Sequence, residues 1–395
     1  MSSIGTEKIS KRYLFFTVFV GGMSTLAIEL TSSRMLQTVY GTSNLVWANV
    51  IGLVLLFLTL GYFLGGRWAD KYPTTKMFYR IVTLAGVSAI FFLLLASVIL
   101  KTAASALAAI NVGAFVSSLV GVVISLGVPI TLLGCISPFA IRLAVQDVSE
   151  AGRISGRIYA ISTWGSLLGT YLTVLLVIPA AGSRLTAVFF GGLLLLVGLI
   201  GGWREGEKAL AVLPLLLLPM AFFGFQGGIK AYEGQIFETE SAYNYVQVVR
   251  YADCNYLLLN EGQAFHSFYC DDGRVPRVSV WSIMLAAPYF AETPNVESAA
   301  VIGLAAGTIP KQLTAVYGNI PIDGIELDPA IAQAGVDYFA MTEPNINVII
   351  GDGRYELNQL ERQYSLITID AYKVPYIPWP MTPSLFYGEV KARFW

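Results

Sequence analysis

The stretch GIELDPAIAQAGVDYF, residues 324–339, places a glutamate and an aspartate two apart at the end of a short apolar run, then continues into Pro329 and a helix-length segment. Apolar strand, acid, helix is the repeating unit of a parallel, doubly wound sheet, whose ligands bind at the carboxyl ends of the strands. Three neighbouring stretches repeat it. SAAVIGLAAG (298–307), NINVIIGDG (345–353) and YSLITIDAY (364–372) are buried-strand runs ending in glycine or aspartate, separated by helix-length spacers. Upstream, from Gln235 to about Phe290, the chain alternates in strand fashion: NYVQVVRY (244–251) and NYLLLNEG (255–262) are β-branched or aromatic runs with turn residues between them. A small antiparallel sheet is expected there.

The strand ends define a candidate site. Gly303 and Gly307 follow the first parallel strand, where a tight turn lets backbone approach a ligand. Glu326 ends the second strand, placed to accept from both ribose hydroxyls. Asp352, after the third, is placed to accept from an adenine amino group, and Asp370, after the fourth, faces the reaction centre. Acids often end strands by chance. Four elements in register on successive strands point to a nucleoside site.

The remainder of the chain is of another kind. Of 395 residues, 55% are hydrophobic and 13% charged, which excludes a single soluble domain. Residues 1–228 carry a net charge of +8 and residues 229–395 a net of −9, which together give the overall −1. The sequence therefore divides into a membrane domain (1–228), a small β subdomain (229–292) and a Rossmann-like domain (293–395). Apolar stretches near 13–30, 45–65, 78–100, 113–141, 158–180, 184–203 and 209–227 are each about long enough for a 30 Å bilayer, giving about seven spans with a kink at Pro129. Basic residues crowd the N-terminus and the loops after spans two, four and six. That bias sets the N-terminus in the cytoplasm and, with seven spans, the acidic half outside.

Glu29 lies well inside the first span with Arg34 five residues on, an acid and base able to pair near the interface. GYFLGGRWADKY (61–72) sets glycines for close helix packing before Arg67 and Asp70, a pattern similar to the loop after the second span of major facilitator transporters. The single His266 has no second histidine with which to hold a metal, so no metal is expected. A disulfide between Cys254 and Cys270 is open to the chain.

Taken together, ELTSSRMLQTVYG, LGYFLGGRWAD, GCISPFAIRLA and GRIYAISTWGSLLGTYL in the apolar half, with ETESAYNYVQVV, LLLNEGQAFHS, VIGLAAG, IELDP, GDGR and DAYKVPYIPWPMTPSLFY in the acidic half, resemble the spermidine synthase family. The resemblance is to its membrane-fused branch, the fused major-facilitator/spermidine synthase proteins. It implies a β subdomain joined to a methyltransferase-type sheet that binds decarboxylated S-adenosylmethionine, or a related adenosyl thioether, and a diamine. On that resemblance Glu326 holds the ribose, Asp352 the adenine, and Asp370 is one of two acids beside the attacking amine.

The departures run against the family reaction. Ala306 stands where the family's glycine motif carries an acid for the aminopropyl amine, and Lys373 where its second strand-four acid orients the diamine. The family's tyrosine–histidine pair has no clear counterpart, although Tyr269 and His266 lie nearby. Both substrates are cationic, so lost acids and a gained cation oppose them. The family sheet also continues beyond SLFYGEVKARFW with further strands, which leaves SLITID as an apolar edge to be covered by a longer polypeptide or by a partner. The expected activity is thus a weakened membrane-anchored aminopropyl transfer. The alternatives are a non-catalytic membrane-complex subunit using the soluble half as a docking surface, and transport by the helical half. Expected partners are the lipid bilayer and other subunits or a second copy, with no nucleic acid.

Overall fold

The computed structural model describes residues 11–41, 43–108, 113–217, 230, 232–260, 262, 264–274, 279–290, 295–372 and 377–394. The chain divides into two compact units, Met1–Lys230 and Ala231–Trp395.

The first unit is helical. α1 spans Lys11–Tyr40, α2 Asn44–Lys71, α3 Thr75–Ala108, α4 Ala114–Gly134 and α5 Ile136–Ala144, the last two meeting at buried Cys135 with Pro129 inside α4. α6 spans Ala151–Leu172 and passes through a π-helical turn, Thr173–Val177, into α7, Ile178–Arg204. Among the described residues, five helical segments are long and apolar enough to cross a bilayer. The fifth, Val148–Arg204, has 57 residues, about 85 Å at 1.5 Å per residue against a hydrocarbon core of about 30 Å. It turns at Gly182, whose φ of 76° and ψ of 170° are non-helical, between the two stretches that the sequence pattern separates. Where the seventh span is expected, Lys208–Leu216 is a 3-10 helix, and most of the rest of 209–227 lies outside the described residues.

Small residues set the helix packing. A Cβ added at Gly22 would lie 2.1 Å from the Ser162 carbonyl oxygen, and one at Gly165 would lie 2.1 Å from that of Phe19, so α1 and α6 meet backbone to backbone. Gly61 and Gly65 do the same for α2, against Thr131 and Cys135, and Asp70 below them pairs with Arg142 at 3.2 Å. The α1–α7 packing is fixed by the Tyr13 hydroxyl donating to the Val197 carbonyl at 2.7 Å and by the Ser24 hydroxyl donating to that of Phe190 at 3.2 Å. Glu29 and Arg34 are both partly buried on α1.

The second unit contains two sheets. β1 (Gln235–Glu240), β2 (Tyr245–Tyr251), β3 (Cys254–Leu259) and β4 (Phe265–Cys270) form an antiparallel meander. The strand alternation ends there: Val280–Ala286 is an α-helix and Ala287–Phe290 a 3-10 turn, correcting the reading of strand as far as Phe290. The Ser279 and Ser282 side chains cap that helix reciprocally, and this cap redirects the apolar run into a helix. The parallel sheet has the order β7 (Ile346–Ile350), β6 (Ile322–Glu326), β5 (Ala299–Ile302), β8 (Leu366–Ile369). β5 and β6 are buried throughout and feed cores on both faces: Val301, Leu313 and Ile322 on one, Ile302, Ile325, Leu357 and Phe386 on the other. Outside β8, Phe394 forms a parallel bridge with Tyr364, and Phe386 of helix Ser384–Ala392 is fully buried.

Candidate functional site

The turn after β5 organises the strand ends. Gly303 (φ 86°), Ala305 (φ 48°) and Gly307 (φ 89°) all have left-handed backbone. A Cβ at Gly303 would lie 2.6 Å from the Asp370 carbonyl, so glycine is required for the turn to pass the end of β8. Asp370 is held there by its own N–H, which donates to the Ile302 carbonyl at 2.8 Å.

Glu326 closes the turn from the other side. The Ala305 N–H donates to Oε2 at 2.8 Å and the Asp328 N–H to Oε1 at 3.0 Å. Each oxygen retains acceptor capacity. The side chain is 8% exposed; burial pushes its carboxyl above the usual range, and the backbone donors oppose the shift. Asp328 has a structural role: it caps helix Pro329–Phe339 through the Ala330 N–H and takes bonds from Ser241 and Asn244. Asp352 caps helix Gly353–Gln359, its Oδ1 accepting from the Arg354 and Tyr355 N–H groups at 3.0 Å. Its side chain is exposed.

Asp370 opens onto a cleft of about 820 Å³ within the second unit. Burial pushes its carboxyl up, and a hydrogen bond from Trp281 works the other way. The opposite wall comes from the meander, where the ring centroids of Tyr256 and Phe265 lie 4.6 Å apart and those of Tyr256 and Phe268 5.2 Å apart. β4 is stitched to the glycine turn: the Phe268 N–H donates to Thr308 Oγ1 at 2.8 Å and the Ala306 N–H to Ser267 Oγ at 2.9 Å. Cys254 and Cys270 are direct register partners and form a disulfide. His266 lines the cleft, and burial holds its imidazole below the ordinary range.

Of the residues singled out in the sequence, Gly303, Gly307, Glu326 and Asp370 surround one turn, and Asp352 ends β7, beyond β6. Ala306 is 1% exposed and packs with Val246, Val248 and Phe339 in the core, whereas its neighbour Ala305 lines the cleft. Tyr269 also packs with that core, under the Lys311 ammonium, and only His266 of the two faces the cleft. Lys373 lies outside the described residues. Trp281 was missed; the Ser279–Ser282 spacing before an apolar run is the signal that places it on a helix at the cleft. No group of three or more metal-ligating side chains occurs among the described residues.

A parallel sheet of order β7-β6-β5-β8 with a glycine turn and acids at its strand ends defines a Rossmann-like domain. No protein-family model matches the chain. A probable polyamine aminopropyl transferase of Bifidobacterium longum is 33% identical over 176 residues, 44% of this chain and 37% of that protein. A polyamine aminopropyltransferase of Vibrio vulnificus is 25% identical over 162 residues, 40% of this chain and 54% of that one. The matches thus span about half or less of these relatives. A crystal structure of a probable spermidine synthase from Corynebacterium glutamicum aligns at a TM-score of 0.34 and 14% identity, over 42% of this chain and 61% of that one. Over the stretch they match, the chain is similar to proteins named polyamine aminopropyltransferases.

Proposed function

We propose that this chain is a membrane-anchored, spermidine synthase-like protein whose soluble unit holds an adenosyl sulfonium carrying an aminopropyl group, such as decarboxylated S-adenosylmethionine, and presents it to an amine in the cleft. The observation that carries this reading is Glu326, buried at a strand end with one backbone N–H on each oxygen, on the same glycine turn as Asp370. Glu326 accepts the ribose hydroxyls and Asp352 the adenine amine. In the transfer, the amine nitrogen bonds to the propyl carbon, the carbon–sulfur bond breaks, and its electron pair stays on sulfur as a neutral thioether. Asp370, its basicity raised by burial, takes the proton released from nitrogen. The acceptor side is reduced: among the described residues lining the cleft, Asp370 is the one carboxylate.

The test is calorimetry of the full chain in nanodiscs with methylthioadenosine. Binding is expected, and Glu326→Ala should weaken it by about 5- to 150-fold, since buried hydroxyls left without an acceptor cost about 1–3 kcal/mol. No binding by the unsubstituted protein overturns the reading.

One observation favours a second reading, a non-catalytic subunit of a membrane complex. The Cys254–Cys270 disulfide suits an oxidising compartment, whereas adenosyl sulfoniums are made in the cytoplasm. Reporter fusions at Arg204 and Trp395 separate the two: a cytoplasmic C-terminus supports the enzyme, an external one the subunit.

A further inference from the structure

The cleft at Asp370 has the size and walls for a bulky ligand and, among its described lining residues, one carboxylate for an ammonium. Its 820 Å³ is lined by neither Glu326 nor Asp352, so the volume lies on the acceptor side of the site. Cavities of that size enclose drug-sized ligands; a short aliphatic diamine would fill a small part. Tyr256, Phe265 and Phe268 interlock as one aromatic wall, and Trp281 and Tyr372 extend the lining. Aromatic faces attract a cation and an apolar body alike.

A dication requires a second acid at the far end. Among the described lining residues the only other ionisable groups besides tyrosines are Arg274, whose charge its partner Asp272 offsets, and His266, whose imidazole burial holds below its ordinary range. Arg274 is paired with Asp272 at 3.3 Å at a half-exposed position, and that pairing cancels the pull Asp272 would otherwise exert on a ligand.

We propose that this cleft takes a monoamine carried on an apolar or aromatic body, its nitrogen on Asp370 and its body against Tyr256, Phe265 and Phe268, in preference to a straight-chain diamine. The inference rests on the acceptor-side reading of the cleft given above.

The experiment uses the full chain in nanodiscs, with phenethylamine and a straight-chain diamine of equal heavy-atom count as probes and methylthioadenosine titrated into the same samples. Phenethylamine should bind at least tenfold more tightly than the diamine. Phe268→Leu should weaken phenethylamine by up to about tenfold, the scale of one aromatic pair, and leave methylthioadenosine unchanged. Tyr256→Leu serves as a second wall variant, and retained thioether binding reports that each variant is folded. Asp370→Asn should weaken both amines. A diamine that binds as tightly as phenethylamine, wall variants without effect, or no amine binding at millimolar concentration overturns the inference. Thioether binding with a diamine preference sinks this inference alone; phenethylamine binding without thioether binding sinks the nucleoside reading alone.

Discussion

The two units differ in how they satisfy many of their buried polar groups. In the helical unit, while Ser24 and Tyr40 reach a carbonyl of another helix, several buried threonine hydroxyls bond within their own helix: Thr25 to the Gly21 carbonyl at 2.8 Å, Thr31 to Ala27 at 2.7 Å, Thr83 to Tyr79 at 2.8 Å. Each returns to a carbonyl four residues back, which the helix already employs, so no distant segment is tied down. In the soluble unit, buried carboxylates reach far along the chain. Asp328 takes Ser241 Oγ at 2.6 Å and Asn244 Nδ2 at 2.9 Å, and Asp323 takes Asn347, Arg362 and Tyr364. A hydroxyl in an apolar bundle is satisfied cheaply by its own turn, whereas a buried charge must recruit donors from elsewhere and so fixes tertiary structure. In the bundle the glycine contacts do much of this, beside the cross-helix bonds of Tyr13 and Ser24.

The largest effect expected from this contrast is at Asp328. Asp328→Ala removes the acceptor for Ser241, Asn244 and the Ala330 N–H together. Stranding buried donors at about 1–3 kcal/mol each predicts a loss of about 3–5 kcal/mol. Hydrogen exchange across 241–247 and 329–335 reads it as a local opening free energy. Protection equal to that of the unsubstituted protein would break the contrast at its strongest point.

Two adjacent alanines sharpen it. Ala306→Asp would bury a carboxylate among Val246, Val248 and Phe339, at a cost of about 2 kcal/mol or more. Ala305→Asp points into the cleft, and its φ of 48° suits aspartate better than alanine, so the change should stay within about 1 kcal/mol. A second carboxylate there, near Asp370, should also raise affinity for a diamine. Thermal midpoints and diamine titration of the two variants check both statements; equal destabilisation would mean that both side chains face the core.

These alanines also mark where sequence reading stops. The parallel strands and their terminal acids were legible because a strand buried on both faces must be apolar throughout and can admit an acid only where it ends; helix Pro329–Phe339 was legible from the Asp–Pro pair at its start. Which of Ala305 and Ala306 faces the cleft depends on a left-handed φ at 305, and neither side chain signals it. The pairing of Cys254 with Cys270 depends on the β3–β4 register, set by turn geometry and a bulge near Leu257 that composition does not reveal. Trp281 was hidden because an apolar run of eleven residues fits a strand or a helix until its serine cap is noticed. The helical unit's boundaries were legible to the Gly182 turn, since span length and hydropathy follow directly from bilayer thickness.

The smallest effect belongs to the bundle. Thr25 is buried, and its hydroxyl bonds only to Gly21 of the same helix among the bonds described. Thr25→Val keeps the volume and branching and removes that bond, leaving a carbonyl still engaged by its helical N–H, so no group is stranded. Polar contacts between membrane helices average about 0.6 kcal/mol, and one internal to a helix should contribute no more. Gly165→Ala is the counterpart, because its Cβ would lie 2.1 Å from the Phe19 carbonyl oxygen, and α1 and α6 must separate to admit it. Detergent-induced unfolding of the reconstituted protein should leave Thr25→Val within about 0.6 kcal/mol of the unsubstituted chain and Gly165→Ala well below it. If the two rank the other way, hydrogen bonding rather than close backbone packing holds the bundle, and the contrast between the units fails from this side.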